Sequence, residues 1–273
     1  MKQKKDILFE EKKHREGIKL QKFFVESNQI DTENNLIFIN GEDVNHIKNV
    51  LRCVIGEHIE ICEKSDTPSK YVVEIKEISN TEIVCKIVEQ VTKDNEPNVK
   101  IHIFQGLPKS EKMELIIQKC TELGVQTFNP VDMHRCVVKI SGKDEDKKIA
   151  RWQKIAEVAA KQSCRDIIPK VERKISVKQF ASKCDEFDLV LVAYENEDNI
   201  FLKNELKKIK ENNQKLNIAI LIGPEGGITE EEIEIMKNAN ANIVSLGNRI
   251  LRTETVAMVI SGIILYELGE MGG

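Results

Sequence analysis

The sequence has no C-x-x-C pair and no histidine cluster at metal-ligand spacing, although it contains seven cysteines and five histidines. Zinc sites and disulfide frameworks need such groupings. We therefore expect no metal, no disulfides and a reducing, cytoplasmic compartment. Residues 1–20 are charged, and their only apolar run, 7–9, is too short for a signal peptide, so we predict a disordered or weakly helical extension without a membrane role.

Two common nucleotide-binding motifs are also missing. The sequence has no G-x-G-x-x-G, and no Gly-Lys-Ser/Thr follows the glycines of residues 223–227. NAD and ATP are therefore poor candidate ligands. A nucleotide-dependent enzyme of ordinary doubly wound fold stays open as an alternative.

Residues 217–268 carry the most informative pattern in the chain. They predict, in order, a strand, a glycine loop, a helix, a second strand, a second loop and a final helix. The apolar run 218–222 is typical of a strand buried on both faces, and it leads into the loop GPEGG. The second loop, NRILR, places two arginines just before a helix that begins near Thr253. Cations at a helix N-terminus oppose its dipole by about 0.3–1 kcal/mol, so they indicate an anionic ligand or substrate. Two loops at neighbouring strand ends predict a binding site.

The spacing of apolar residues divides the rest of the chain into two domains. Residues 21–91 carry short alternating segments that predict a small β-barrel, with strands at 22–25, 36–40, 57–62, 71–78 and 83–88 and one helix at 42–51. The polar stretch 92–98 predicts a linker. From 99 to 273 strands alternate with longer helices, which predicts an α/β domain with a parallel sheet and helices on both faces.

Positive charge is concentrated in the middle of the chain. Residues 100–174 contain 16 basic and 10 acidic side chains, whereas the chain as a whole has a net charge of −4. Such a patch on an acidic protein predicts a polyanionic partner, with a solvated lysine face as the alternative.

The two loops, IGPEGG and LGNRILRTET, resemble the cofactor loops of the RsmE family of SPOUT-class methyltransferases. The likeness continues through LPKSEKMELIIQKCTELGV (107–125), RCVVK (135–139), RWQKIAEVAAKQS (151–163), KFFV (22–25) and HIKNVLR (46–52), and covers about residues 21–269. Members of this family methylate N3 of a uridine in 16S ribosomal RNA. Two positions depart from the pattern: Lys22 stands where arginine is expected, and His134 where an acidic residue is expected.

The resemblance implies an architecture and partners. It implies a PUA-like RNA-binding barrel followed by a SPOUT fold, in which the C-terminal segment forms a trefoil knot that binds S-adenosylmethionine. It also implies a homodimer that acts on small-subunit ribosomal RNA in the assembled 30S subunit. The helix at 256–265 fits this expectation, because it is apolar on all faces yet too short to cross a bilayer and must be covered by protein.

The resemblance also implies roles for individual residues. The cofactor would lie against Ala193, Tyr194, Ile222, Gly223, Pro224, Gly226, Gly227, Leu246, Gly247, Ile250, Leu251 and Arg252. RNA would be held by Lys22, Arg52, Lys109, Lys112, Arg135, Arg151 and Arg165.

The catalytic step is assigned to three residues. Arg252 would favour the uridine N3 anion, because opposite charge favours an ionised group. Glu254 and Glu225 are the competing bases, although Glu254 can also be a simple helix-start carboxylate. Two other functions stay open: another SPOUT methyltransferase with a transfer-RNA or ribose target, and a non-catalytic RNA-binding protein.

Overall fold

The computed structural model describes residues 20–197, 200–209 and 215–272. These residues form two compact units that divide between Asp94 and Asn95. The extension predicted for residues 1–20 lies, apart from Leu20, outside the described residues. Within the described ranges, no helix is both long and apolar enough to span a bilayer.

The first unit is built on a six-stranded sheet. Its strands are β1 (Lys22–Val25), β2 (Ile30–Asp31), β3 (Leu36–Asn40), β4 (His58–Glu63), β5 (Lys70–Ile78) and β6 (Glu82–Gln90). Their order is β1-β4-β5-β6-β3-β2, with β1 parallel to β4 and the other neighbours antiparallel. The predicted helix begins as α1 (Glu42–Asn45) and continues as a π-helical turn, His46–Val50.

Alternating apolar residues bury one face of this sheet. Ile37, Ile61 and Ile75 are completely buried in its core. The pairing of β5 with β6 shifts register at two points, as it does at β-bulges. Among the residues that the structure describes, no ladder joins the two end strands, β2 and β1. The small β-barrel stays a prediction.

The second unit contains a parallel sheet, which confirms the predicted α/β class. Its strands are β7 (Lys100–Gly106), β8 (Thr127–Asp132), β9 (Lys170–Val171), β10 (Ile175–Ser176), β11 (Leu189–Ala193), β12 (Asn217–Ile222) and β13 (Asn242–Val244). Their order is β10-β8-β7-β12-β11-β13, and β9 pairs with β8. The helices are α2 (Lys112–Leu123), α3 (Lys143–Ser163), α4 (Val177–Ala181), α5 (Leu202–Ile209), α6 (Glu230–Asn238) and α7 (Thr253–Glu267).

Local sequence signals explain these elements. The apolar run of β12 is buried throughout, as expected for a strand covered on both faces. The helix α2 buries its apolar stripe and ends at Gly124, whose φ of 108° supplies the left-handed cap. The helix α6 begins with the predicted capping box, in which Thr229 Oγ1 accepts from the Glu232 N–H and the Glu232 carboxylate accepts from the Thr229 N–H.

The last helix, α7, packs against α2 and β12. Ala257, Ile260 and Ile264 are completely buried. Ile263 and Tyr266, however, are 38% and 65% exposed. One face of this apolar helix is therefore open in the protomer, whereas the sequence predicts cover on every side.

A buried ion pair fixes the start of the second unit. The Arg165 guanidinium is 5% exposed and pairs with Glu96, and Arg165 Nη1 donates to Val125 O at 2.5 Å. Glu96 Oε1 also accepts the N–H groups of Asp166, at 2.8 Å, and of Ile167, at 3.1 Å. The predicted linker 92–98 is therefore held to the second unit at Glu96.

Arg165→Ala should lower the free energy of unfolding by about 3–5 kcal/mol, because it removes one partner of a buried ion pair. Urea denaturation measures this loss. Arg173→Ala is the matched control: its guanidinium is 71% exposed and lies 2.6 Å from Asp146, so its loss should change stability little. Equal effects of the two substitutions would contradict the assignment.

Candidate active site

The loops that follow β11, β12 and β13 enclose a pocket of about 580 Å³. This volume lies within the range of small-molecule sites. Of the twelve residues predicted to hold a cofactor, eleven line it: Ala193, Tyr194, Ile222, Gly223, Pro224, Gly227, Leu246, Gly247, Ile250, Leu251 and Arg252. The walls also include residues that were not assigned to the cofactor: Lys112, Glu195, Phe201, Glu225, Ser245, Asn248, Arg249, Thr253 and Val256.

The first loop is packed so closely that only glycine fits at two of its positions. Gly227 has a φ of +74°, and a Cβ atom there would lie 2.5 Å from Glu195 Oε1. A Cβ on Gly223 would lie 2.8 Å from Ile228 Cγ1. The Gly227 N–H donates to Pro224 O at 2.9 Å and closes the turn.

Gly226 is the exception among the predicted cofactor residues. It lies against Arg135, so that an added Cβ would be 2.9 Å from Arg135 Cβ. Arg135 Nη1 donates to Gly226 O at 2.9 Å. Gly226 is therefore needed for the approach of Arg135 and does not line the pocket.

The second loop presents unpaired backbone. Within the described part of the chain, the N–H groups of residues 248–252 donate no hydrogen bond to the protein, so they are available to a ligand. Arg249 and Arg252 are exposed, and neither has an ion-pair partner among the described residues. Arg252 is the N-cap residue of α7, as the sequence predicted, and its side chain makes no capping bond.

A lysine from α2 joins the two carboxylates predicted as bases. Lys112 Nζ lies 3.0 Å from Glu225 Oε1 and 3.3 Å from Glu254 Oε2. The Lys109 N–H also donates to Glu225 Oε1 at 3.0 Å. The structure thus places Lys112, predicted to bind RNA, in the wall of the pocket.

These contacts shift the pKa values of Glu225 and Lys112. Partial burial acts to raise the pKa of Glu225, but its own backbone N–H, the Lys109 N–H and the Lys112 ammonium outweigh burial and hold the pKa below 4.5. The hydrogen bond to Glu225, reinforced by Glu254, raises the pKa of Lys112 above 10.5. Glu225 is therefore ionised at neutral pH and is a weak proton acceptor.

The other predicted RNA-binding residues fall into two groups. Arg52, Lys109, Arg135 and Arg151 are exposed, although Arg151 pairs with Glu114 at 2.8 Å. Lys22 and Arg165 are buried, and their charges are met by Glu60, at 2.9 Å, and by Glu96. Both charges are therefore paired within the protein, and the RNA-binding role inferred from the resemblance stays a prediction for these two residues. Sequence alone missed this because it does not show burial of a cation.

Comparison with known proteins identifies the class. Residues 95–265 match the RNA methyltransferase domain, and residues 39–88 match the PUA domain of RNA methyltransferases. Together with a pocket at the ends of parallel strands, these matches define an RNA methyltransferase with an attached PUA domain.

The family follows from the curated relatives. The ribosomal RNA small subunit methyltransferase E of Bacillus subtilis is 36% identical over 256 residues, which cover 93% of this chain and 99% of that protein. This chain belongs to the ribosomal RNA small subunit methyltransferase E family, which confirms the resemblance drawn from the two loops and the upstream motifs.

Solved structures agree with this assignment. A Legionella pneumophila methyltransferase with bound S-adenosylmethionine has a TM-score of 0.80 and 26% identity, and the match covers 91% of this chain and 98% of that one. The ribosomal RNA small subunit methyltransferase E of Neisseria gonorrhoeae, also bound to S-adenosylmethionine, has a TM-score of 0.78 with the same identity and coverage.

Lys112→Gln should raise the pKa of Glu225 toward or above its ordinary value of 4.5, because the nearest positive charge is removed. A carboxyl-carbon NMR titration measures this shift. Lys119→Gln, on the same helix, removes a lysine that pairs with Glu122 at 2.9 Å and should leave the Glu225 titration unchanged.

The same substitution has a predictable effect on stability as the pH changes. Since the folded pKa of Glu225 is depressed, its contact with Lys112 stabilises the fold above pH 4.5, and this contribution is lost as the pH falls through the folded pKa. The raised pKa of Lys112 preserves the contribution until the pH passes above 10.5. The stability difference between the wild type and Lys112→Gln should therefore shrink in acid, and a constant difference would contradict the contact.

Proposed function

We propose that this protein transfers the methyl group of S-adenosylmethionine to N3 of a uridine in 16S ribosomal RNA, within the assembled 30S subunit. The observation that carries the proposal is the pocket at the ends of β11, β12 and β13. Its location is where open α/β sheets bind ligands. The Neisseria gonorrhoeae relative, a ribosomal RNA small subunit methyltransferase E, holds S-adenosylmethionine.

The chemistry of the pocket suits this cofactor. The tight glycine loop permits close approach to backbone, and the unpaired amides of 248–252 offer hydrogen-bond donors. Leu246, Leu251 and Val256 offer apolar contact for a ring. When bound, S-adenosylmethionine supplies an electrophilic methyl group, so the proposed reaction needs no metal.

Residues around the pocket would help remove the proton that uridine carries on its imide nitrogen, N3. N3 of uridine is weakly acidic and lies on the Watson–Crick edge, so the base must be unpaired to react. The N3–carbon bond forms as the sulfur–carbon bond breaks, and the N3 proton leaves to a carboxylate or to solvent. The exposed Arg252 guanidinium would favour the N3 anion, with Glu254 or Glu225 as proton acceptor. Its lowered pKa makes Glu225 the weaker candidate.

Exposed cations near the glycine loop would meet RNA phosphates. Arg135 bonds to Gly226 O, and the backbone of Lys109 bonds to Glu225, so both residues border this loop. Arg151, and Arg52 in the first unit, are also exposed. The basic excess of residues 100–174 supports this role.

The finer architecture belongs to the proposal as well. We propose that the C-terminal segment forms the SPOUT trefoil knot. The contact of Thr253 Oγ1 with Gly223 O, at 2.7 Å, supports it, because the start of α7 meets the loop after β12. A cytoplasmic location follows from a ribosomal substrate and agrees with seven free cysteines.

Methyl transfer itself tests the function. Undermethylated 30S subunits should accept a methyl group, and nucleoside analysis should find 3-methyluridine. Free 16S ribosomal RNA and transfer RNA are the comparison substrates. S-adenosylmethionine and S-adenosylhomocysteine should raise the melting temperature by mass action, and chelators should not reduce activity. A melting temperature raised by NAD alone, or methylation of ribose, would contradict the proposal.

Arg252→Ala should lower the single-turnover rate much more than cofactor affinity, because the guanidinium acts on the base. Arg252→Lys should recover only part of the rate, since the planar fork is lost. Raising the pH should partly restore the Arg252→Ala rate, because bulk hydroxide then generates the N3 anion. Arg249→Ala, in the same loop, is the comparison variant. A near-normal rate for Arg252→Ala with saturating substrates would remove this residue from the mechanism.

The open face of α7 supports a homodimer. Val259, Ile263 and Tyr266 have helical i, i+4, i+7 spacing, and the last two are exposed. Light scattering should give about twice the mass of one chain, and Ile263→Asp with Tyr266→Asp should weaken association, because charge is placed on an apolar contact. Glu267→Lys, beside this stripe, serves as a charge-change control. A stable, active monomer at micromolar concentration would argue against the dimer.

A further inference from the structure

A buried hydrogen-bond network joins β7, the glycine loop and the first residue of α7. Gln105, near the end of β7, is completely buried, and its Nε2 donates to Thr253 Oγ1 at 2.8 Å. Thr253 Oγ1 donates in turn to Gly223 O at 2.7 Å. Gln105 Nε2 also approaches Gly223 O at 3.4 Å and closes a triangle, and it donates to Gly106 O at 2.9 Å. We refer to Gln105, Thr253 and Gly223 as the Gln105 triangle.

The triangle connects the two parts of the proposed site. Thr253 stands between Arg252 and Glu254 in the chain, and Gly223 opens the loop that carries Glu225. Among the described residues, the polar links between the glycine loop and the start of α7 are this triangle and the Lys112 bridge. The bridge is partly exposed and ionic, whereas the triangle is neutral and its two side chains, Gln105 and Thr253, are buried. The triangle is therefore the link that salt and solvent weaken least.

Stability alone does not account for an amide at position 105. Gln105 Oε1 is buried and has no hydrogen-bond partner among the described residues. A buried oxygen without a partner is unfavourable, and an apolar side chain of similar length would avoid this penalty. The useful part of the side chain is thus its NH2 group, which donates to Gly106 O and Thr253 Oγ1 and approaches Gly223 O more distantly.

We infer that Gln105 and Thr253 are positioning residues, which set the separation between the glycine loop and the Arg252–Glu254 end of α7. The kinetic part of this inference rests on the proposed function. Neither side chain is assigned contact with the reacting atoms. Their role is to keep the cofactor loop and the helix start in one fixed arrangement.

Thr253→Val tests the triangle, because it keeps the β-branched shape and removes the hydroxyl. With saturating substrates, the single-turnover rate should fall about 10- to 100-fold, since a displacement of about 1 Å can cost this much. Thr253→Ser restores the hydroxyl and should recover most of the rate. Thr121→Val is the matched control: this residue of α2 is also completely buried, and its Oγ1 has no hydrogen-bond partner among the described residues.

Amide hydrogen exchange tests the geometry without reference to catalysis. The Gly227 N–H donates to Pro224 O, and the Val256 N–H donates to Arg252 O, so each amide reports on one of the two linked segments. In Thr253→Val and in Gln105→Met, exchange at both amides should rise together by about tenfold or more, because the segments are released from one another. Thr121→Val should change neither amide.

The rate measurement and the exchange measurement distinguish a failure of the proposed function from a failure of the positioning role. A wild-type protein that transfers no methyl group would overturn the proposed function, while the exchange rates would still decide whether the triangle joins the two segments. The positioning role is overturned if exchange at Gly227 and Val256 is unchanged in both variants. It is also overturned if Thr253→Ser loses as much rate as Thr253→Val, since the hydroxyl is then not the group that matters.

Discussion

The site depends on the parallel pairing of β12 with β7 on one side and β11 on the other. Ile222, the last residue of β12, is level with Gln105 of β7 and with Ala193 of β11, and Ala193 is level with Val244 of β13. Because these strands are parallel and in register, their carboxyl ends stop at one edge of the sheet, and the loops beyond them face a common space. The pocket is a consequence of that register.

Charge is arranged differently on the two sides of this pocket. Lys112 pairs with the carboxylates of both Glu225 and Glu254, whereas Arg249 and Arg252 keep their charges exposed. A polyanion approaching the loop would therefore meet uncompensated arginines. The carboxylates are held in place by contacts within the protein, which keeps Glu225 ionised over the neutral range.

Features that depend on near neighbours were predictable from sequence. The capping box at Thr229 results from interactions within a few residues, and the two-sided burial of β12 was readable from its continuous apolar run. The two loops, together with the upstream motifs in the same order, resembled the methyltransferase family closely enough to indicate it. Eleven of the twelve residues predicted for the cofactor line the pocket, because they lie at the ends of strands that the apolar runs reveal.

The sequence by itself therefore determined the order of the elements, the class of the second unit and the loops that form the site. Tertiary structure alone decided which charged side chains are buried. A lysine in KFFV and an arginine after α3 look like phosphate ligands in sequence, yet Lys22 and Arg165 lie in the interior beside Glu60 and Glu96. Contacts such as Arg165 with Glu96, or Gln105 with Thr253, join residues 69 and 148 positions apart. No local pattern encodes them, because they exist only after the sheet has brought distant segments together.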